Sequence, residues 1–134
     1  MSPSDLIDRY VAALPGETRR LGPRQWGISV EPESAAGWPL DVGLRISNEL
    51  LRVQAFVASH HPMLDPWLFL AWNRQTRLIR FGSTKAGDVW INADVPLEGL
   101  DERTLDRVLG LVVEGAVTGR NYAAAAAAAM PSAN

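Results

Sequence analysis

The apolar residues Leu6, Ile7, Tyr10, Val11 and Leu14 recur at spacings of three and four, which predicts an amphipathic helix near the N-terminus. Ser2 is placed to cap it, Pro3 suits the first helical position, Asp5 falls in the first turn, and Pro15-Gly16 stops it. Glu17 to Arg24 is polar and reads as a connector. The period then changes from helical to two. Trp26, Ile28 and Val30 alternate with Gly27 and Ser29, predicting a half-buried strand, and the Pro-, Ser-, Ala- and Gly-rich segment Glu31 to Pro39 reads as a loop. Val42, Leu44 and Ile46 share one face of the next strand, and Leu51, Val53, Ala55 and Val57 share a face of the one after it. Ser47-Asn48-Glu49 is the expected hairpin turn between them.

Asp65-Pro66 is a cap and first-turn proline opening Trp67-Leu68-Phe69-Leu70-Ala71-Trp72-Asn73-Arg74. A helix apolar nearly all round is expected to be buried on more than one side. Leu78 to Phe81 and Val89 to Val95 read as two strands joined around Lys85-Ala86-Gly87-Asp88. Asp101 caps a last helix with a broad stripe of Leu105, Val108, Leu109, Val112, Val113, Ala116 and Val117. Gly110 and Gly115 interrupt it, which implies close approach of another backbone or an irregular helix. Ala123 to Ala129 either prolongs this helix or frays, and Met130 to Asn134 is expected to be disordered. The predicted fold is α+β, an antiparallel sheet of about five strands with helices packed on it, in the order α-β-β-β-α-β-β-α. Residues 1–119 form the single domain and 120–134 an Ala-rich tail, a helical extension or disordered. So short a chain leaves part of the middle helix or sheet uncovered, pointing to an oligomer interface or a partner groove.

Composition narrows the function. A chain of 134 residues is one domain with a real core, and its 47% hydrophobic and 21% charged residues are ordinary for a globular protein. Zero cysteines exclude disulfides, a thiol nucleophile, Cys-ligated zinc and iron–sulfur clusters. With no basic, apolar leader and no run approaching a membrane span, the expectation is a soluble, cytoplasmic protein without membrane contact. A net charge of -2 argues against a dedicated double-stranded DNA binder.

Leu70-Ala71-Trp72-Asn73-Arg74, followed by Arg80-Phe81-Gly82 and then by the run from Gly87-Asp88-Val89-Trp90 to Val95-Pro96-Leu97, resembles the YbjN-like family of bacterial proteins. The likeness covers roughly Val42 to Val117 and consists of packing and turn motifs. It implies a fold like that of the class I type III secretion chaperones, small acidic cytosolic homodimers that bind extended segments of client proteins. It also implies an association with stress response and signal-transduction regulation.

The chemical motifs are sparse. His60 and His61 are the only histidines, so any catalytic triad must use one of them. Neighbours in extended chain point to opposite sides, and Asp65 does not complete a metal set, so they read as a polar strand-to-helix connector. Gly82 to Gly87 has phosphate-loop residue types in the wrong order and reads as a hairpin turn. Asp101, Glu102 and Asp106 read as a capped helix start.

Five tryptophans are many for this length. Trp67 and Trp72 lie about 140° apart on the middle helix, so one of them is expected to face a partner. Trp90, with Asn92 and Asp94 on the face opposite Val89 and Ile91, is a candidate outward anchor. Arg74, Arg77 and Arg80 form a basic cluster that would orient an acidic partner or, beside aromatics, track a single-stranded nucleic acid.

The sequence therefore predicts a non-enzymatic adaptor or chaperone-like protein, a homodimer that binds a client protein, with no cofactor and no metal. Nucleic acid enters only indirectly through a partner, if at all. The candidate partner or dimer residues are Trp67, Leu68, Trp72, Arg74, Arg77 and Trp90, and there are no catalytic residues. Capture is expected through exposed apolar surface, helped by backbone pairing at a free sheet edge. The alternatives are direct single-stranded nucleic-acid binding and a small enzyme using His60 or His61.

Overall fold

The computed structural model describes residues 1–35 and 37–129. The elements are α1 (Pro3–Ala12), β1 (Glu17–Gly22), β2 (Gln25–Val30), a 3₁₀ turn (Pro32–Ser34), β3 (Leu40–Ser47), β4 (Leu50–Ala58), α2 (Pro66–Gln75), β5 (Arg80–Ser83), β6 (Val89–Pro96) and α3 (Glu102–Ala128). The six strands form one antiparallel sheet in the order β1-β2-β3-β4-β6-β5. There is one strand more than the polar pattern of Glu17 to Arg24 predicted. That segment pairs with β2 as an outer strand, and an outer strand needs backbone partners on one side and little apolar surface on either.

Side-chain alternation sets which face is covered. Val42, Leu44, Ile46, Leu51, Val53, Ala55, Val57, Ile91, Ala93 and Val95 point to one face and are buried. Helix α3 lies across that face on β4 and β6 with Leu105, Val108, Val112 and Ala116 inward. α1 packs on β1 and on α3, and α2 packs on β5. The caps form as the sequence implies: Ser2 accepts from the Asp5 amide at 3.1 Å, Asp65 from Trp67 at 2.9 Å and Asp101 from Thr104 at 2.8 Å. The β3–β4 turn places Asn48 and Glu49 at φ 52° and 63°, the left-handed pair that a tight two-residue hairpin requires.

The helical glycines divide into two kinds. A Cβ at Gly115 would strike Ile91, and one at Gly119 would lie 2.6 Å from Val57 Cγ1 and 3.2 Å from Phe81 Cε1, so here helix and sheet approach closely. At Gly110 a Cβ would meet nothing within 4 Å, and no packing explains that residue. The alanine run continues the helix through Ala128. Met130 to Asn134 lie outside the described residues.

Two polar clamps tie the layers together. Asp8 of α1 accepts from the Trp26 indole at 2.7 Å and pairs with Arg20 at 3.1 Å, and Tyr10 donates to Asp106 of α3 at 2.6 Å. Arg120 of α3, only 7% exposed, donates to the carbonyls of Ala35, Trp38 and Pro39 and so holds the β2–β3 loop, with its guanidinium over the Trp38 ring.

Candidate functional site

The middle helix departs from the expectation of burial on more than one side. Only Phe69 of α2 is buried. Its ring, Trp72, Phe81 and Tyr122 form an aromatic cluster with centroids 5.1 to 5.7 Å apart, in edge-on and tilted arrangements. Trp72 is therefore half-buried within this cluster, while Trp67 stands 75% exposed on the other side of the helix. Leu70 is 53% exposed, and Met63 and Leu78 are exposed at either end of the helix. Leu68 is half-buried. A helix with one layer of protein beneath it buries one stripe, and α2 places its remaining apolar residues in solvent.

Beside this face runs an apolar groove of about 260 Å³ between α2 and the β5–β6 hairpin. Leu64, Phe69, Leu70, Phe81 and Val89 line it, and His60 and His61 stand at its rim. The two histidines do not work as a pair. The His61 ring nitrogen Nδ1 accepts from the Met63 amide at 3.1 Å, whereas the His60 ring lies against Gly87 and its backbone N–H donates to Asp88 at 3.0 Å. Gly87, at φ +91°, has no room for a Cβ, which would fall 2.5 Å from His60 Nδ1. Among the described residues no group of three His, Cys, Asp or Glu side chains could hold a metal ion, and no helix is long and apolar enough to cross a membrane. Gly82 and Ser83 end β5 and residues 84–88 form the turn to β6, with the Gly87 N–H donating to the Thr84 carbonyl at 3.0 Å.

Sequence reasoning missed the role of Asn73. Its side-chain amide donates to the Phe81 carbonyl at 3.1 Å and accepts from the Phe81 N–H at 2.8 Å, so one side chain reproduces a step of a neighbouring strand. Thr76 adds a hydroxyl bond to the Ile79 carbonyl at 3.0 Å. The outer edge of β5 is thus already occupied by α2, and β1 is the edge left to accept an added strand. Asparagine at the end of an amphipathic helix, eight residues before a strand, carries no signal that would identify this in advance.

Arg74 and Arg77 project from the end of α2, both exposed and neither in an ion pair among the described residues. Trp90 lies elsewhere, half-buried on the outer face of the sheet, edge-on to Phe56 at 5.5 Å. Beside it Arg52 grips Asp94 with two bonds of 2.8 Å, which hold the Asp94 carboxyl below the usual carboxylate range.

An antiparallel sheet covered on one face by three helices, with a long final helix and the middle helix against the edge hairpin, is the fold of the type III secretion chaperones. The chain superposes on the structure of the HopA1–SchA chaperone–effector complex with a TM-score of 0.68 at 16% identity, covering 87% of this chain and 91% of that one. For the Yersinia pestis type III secretion chaperone SycH in complex with a fragment of YscM2 the values are 0.63, 18%, 87% and 98%, and for the ExsC–ExsE complex 0.64, 15%, 90% and 96%. The chain belongs to the YbjN family, described as "Putative bacterial sensory transduction regulator", whose profile matches residues 42–123. No curated protein matches the sequence.

Proposed function

We propose that this protein is a non-enzymatic, cytoplasmic adaptor of chaperone-like type, a homodimer that captures a segment of a client protein within bacterial stress response or regulation. The observation that carries the reading is the α2 surface: Trp67 and Leu70 stand in solvent beside an apolar groove, an arrangement that costs solubility and gains nothing inside one protomer. The solved structures of similar fold, which are complexes of chaperones with effectors or other proteins, support it. Trp67, with Leu68 and Trp72 beneath it, supplies the apolar contact to a second copy or a client, and the groove seats apolar side chains of an extended segment. Arg74 and Arg77 orient acidic residues of the partner, and the open edge of β1 offers backbone pairing. Catalysis is not part of this reading, since the groove walls are apolar and the two histidines at its rim serve the connector.

The test compares wild type with Trp67→Glu and Leu70→Glu in two assays. Light scattering behind size exclusion reads the oligomeric state, and tagged capture from nuclease-treated native lysate reads the client. Both side chains are exposed, so the variants keep their melting temperature. The reading predicts loss of the dimer, of a stoichiometric client protein, or of both. Variants that leave both unchanged refute it.

A further inference from the structure

Histidine is the one side chain whose charge ordinarily changes between pH 5 and 8, and both histidines of the chain stand at the rim of the α2 groove. His61 also builds its wall. Residues His61 to Leu64 form a β-turn with Pro62 in the second position, closed by the Leu64 N–H on the His61 carbonyl at 3.0 Å. Inside the turn the Met63 N–H donates to the His61 ring nitrogen Nδ1 at 3.1 Å. Asparagine, aspartate and serine are the residues favoured at the first position of such a turn, because a side-chain oxygen there accepts from the backbone N–H two residues on. His61 makes the same bond with a ring nitrogen. An asparagine oxygen accepts at every pH, whereas the imidazole accepts at Nδ1 only while it is neutral, with its proton on Nε2.

The last residue of this turn, the half-buried Leu64, lines the groove. The connector that carries it is tied at both ends. On one side the His60 N–H donates to Asp88 at 3.0 Å and the His60 ring lies against Gly87. On the other the Asp65 N–H donates to the Tyr122 hydroxyl at 2.8 Å. Between these ties the turn is held, among the described residues, by the two bonds that His61 accepts. The titratable and charged groups around it are Asp65 at the start of α2, Lys85 and Asp88 in the β5–β6 turn, and Tyr122 on α3. Asp65 already accepts from the Trp67 N–H and Asp88 from the His60 N–H. Neither histidine forms an ion pair among the described residues, so no carboxylate replaces the bond that a proton on Nδ1 removes.

We propose that His61 is a pH switch on the groove: protonation of its ring in mildly acid solution withdraws the acceptor from the Met63 N–H, frees the turn that carries Leu64, and releases the apolar occupant. The switch rests on the reading of this groove as the client seat and supplies its regulation. The proton lands on Nδ1, the nitrogen that made the bond, so the imidazolium sets one N–H against another. The response is local. The sheet and the three helices carry no histidine, so the fold persists through the pH range in which the rim of the groove changes charge.

The test needs no client. Nile red, an uncharged apolar dye, is titrated into the full chain at pH 7.5 and 5.5, and exchange of the Met63 amide is followed by NMR with the intrinsic pH dependence of exchange divided out. Leu70→Glu, at the groove wall, identifies the dye bound in the groove as the part it removes. In wild type that part binds about twofold to tenfold more weakly at pH 5.5, the range that one hydrogen bond spans, and protection of the Met63 amide falls with it. His61→Asn supplies an acceptor that no longer titrates, so it keeps the turn, and both readouts become indifferent to pH. His60→Gln retains the wild-type response. Protection of Met63 that ignores pH in wild type, or a response that survives in His61→Asn, overturns the switch and leaves the client seat standing. A response lost in His60→Gln assigns it to the other histidine and overturns the role of His61. A groove that takes up no dye at pH 7.5 overturns the client seat itself, and the release with it.

Discussion

Replacing each of two glycines of α3 by alanine gives opposite results, and the structure sets the difference. Removing glycine from a helix interior gains about 1 kcal/mol in each case, because alanine loses less backbone entropy. At Gly110 that gain is realised in full, since the new methyl enters open space. At Gly119 the methyl lies 2.6 Å from Cγ1 of Val57, a β-branched side chain on a buried strand position with little freedom to turn away, and 3.2 Å from Phe81. Overpacking of this kind costs about 1–3 kcal/mol. The propensity gain is common to both variants and cancels on subtraction, so Gly119→Ala falls below Gly110→Ala by the overpacking cost alone. For a domain of this size that is a gap of about 4 to 12 °C in melting temperature. Gly115→Ala lies between them, because its obstacles are the terminal methyls of Ile91 and Ile79, which can rotate. Thermal and urea unfolding followed by far-UV circular dichroism measures all three. Equal stabilisation by Gly110→Ala and Gly119→Ala would show that helix and sheet do not approach as described.

Asn73→Ala leaves the Phe81 N–H and carbonyl at the β5 edge without their partner, a loss of about 2 kcal/mol in urea unfolding, and light scattering should show stronger self-association through the freed edge. Trp67→Ala changes stability by less than about 0.5 kcal/mol, whereas Trp72→Ala, which empties the aromatic cluster, costs about 2 kcal/mol or more; equal effects in chemical denaturation contradict the orientation of α2. Burial, then the hydrogen bond to Asp106, then the charges of Asp106 and Glu102 raise the Tyr10 hydroxyl above its ordinary value of 10.0. A raised value favours the protonated form in the folded state, so this contribution is complete below pH 10 and is lost as pH rises beyond it. The difference in stability between wild type and Tyr10→Phe should therefore shrink on alkaline titration, and a constant difference refutes the linkage.

Much of the architecture was legible because it rests on period and punctuation. Strands β3, β4 and β6 alternate strictly, and the caps at Ser2, Asp65 and Asp101 precede their helices as capping chemistry requires. What escaped was decided by tertiary neighbours. Glu-Thr-Arg-Arg-Leu-Gly has no apolar alternation, yet β2 offers backbone partners to every residue of it but Leu21, where the register shifts. The outward turn of Trp67 was implied by its angle from Trp72, but which of the two would face solvent depended on where Phe81 and Tyr122 lie. Leu78, expected to begin β5, instead takes φ 68° in the turn before it. Arg120 was invisible as a clamp because its three partners are carbonyls, which every residue possesses. Of the candidate residues, Trp67, Arg74 and Arg77 share the α2 region, Leu68 and Trp72 lie partly beneath it, and Trp90 is on a different face altogether.

The strand order has a consequence for how the chain acquires its structure. From β1 to β4 every pairing joins consecutive strands, so this part can form as it leaves the ribosome from short-range contacts alone. The seam between β4 and β6 is different, since α2 and β5 intervene and β6 must enter between β4 and its own hairpin partner. The apolar face of β4 then stays uncovered until α3 lies down on it. Docking of α3 is therefore the committing step, and a nascent chain stalled before Asp101 would expose the aggregation-prone face of a sheet that is otherwise formed.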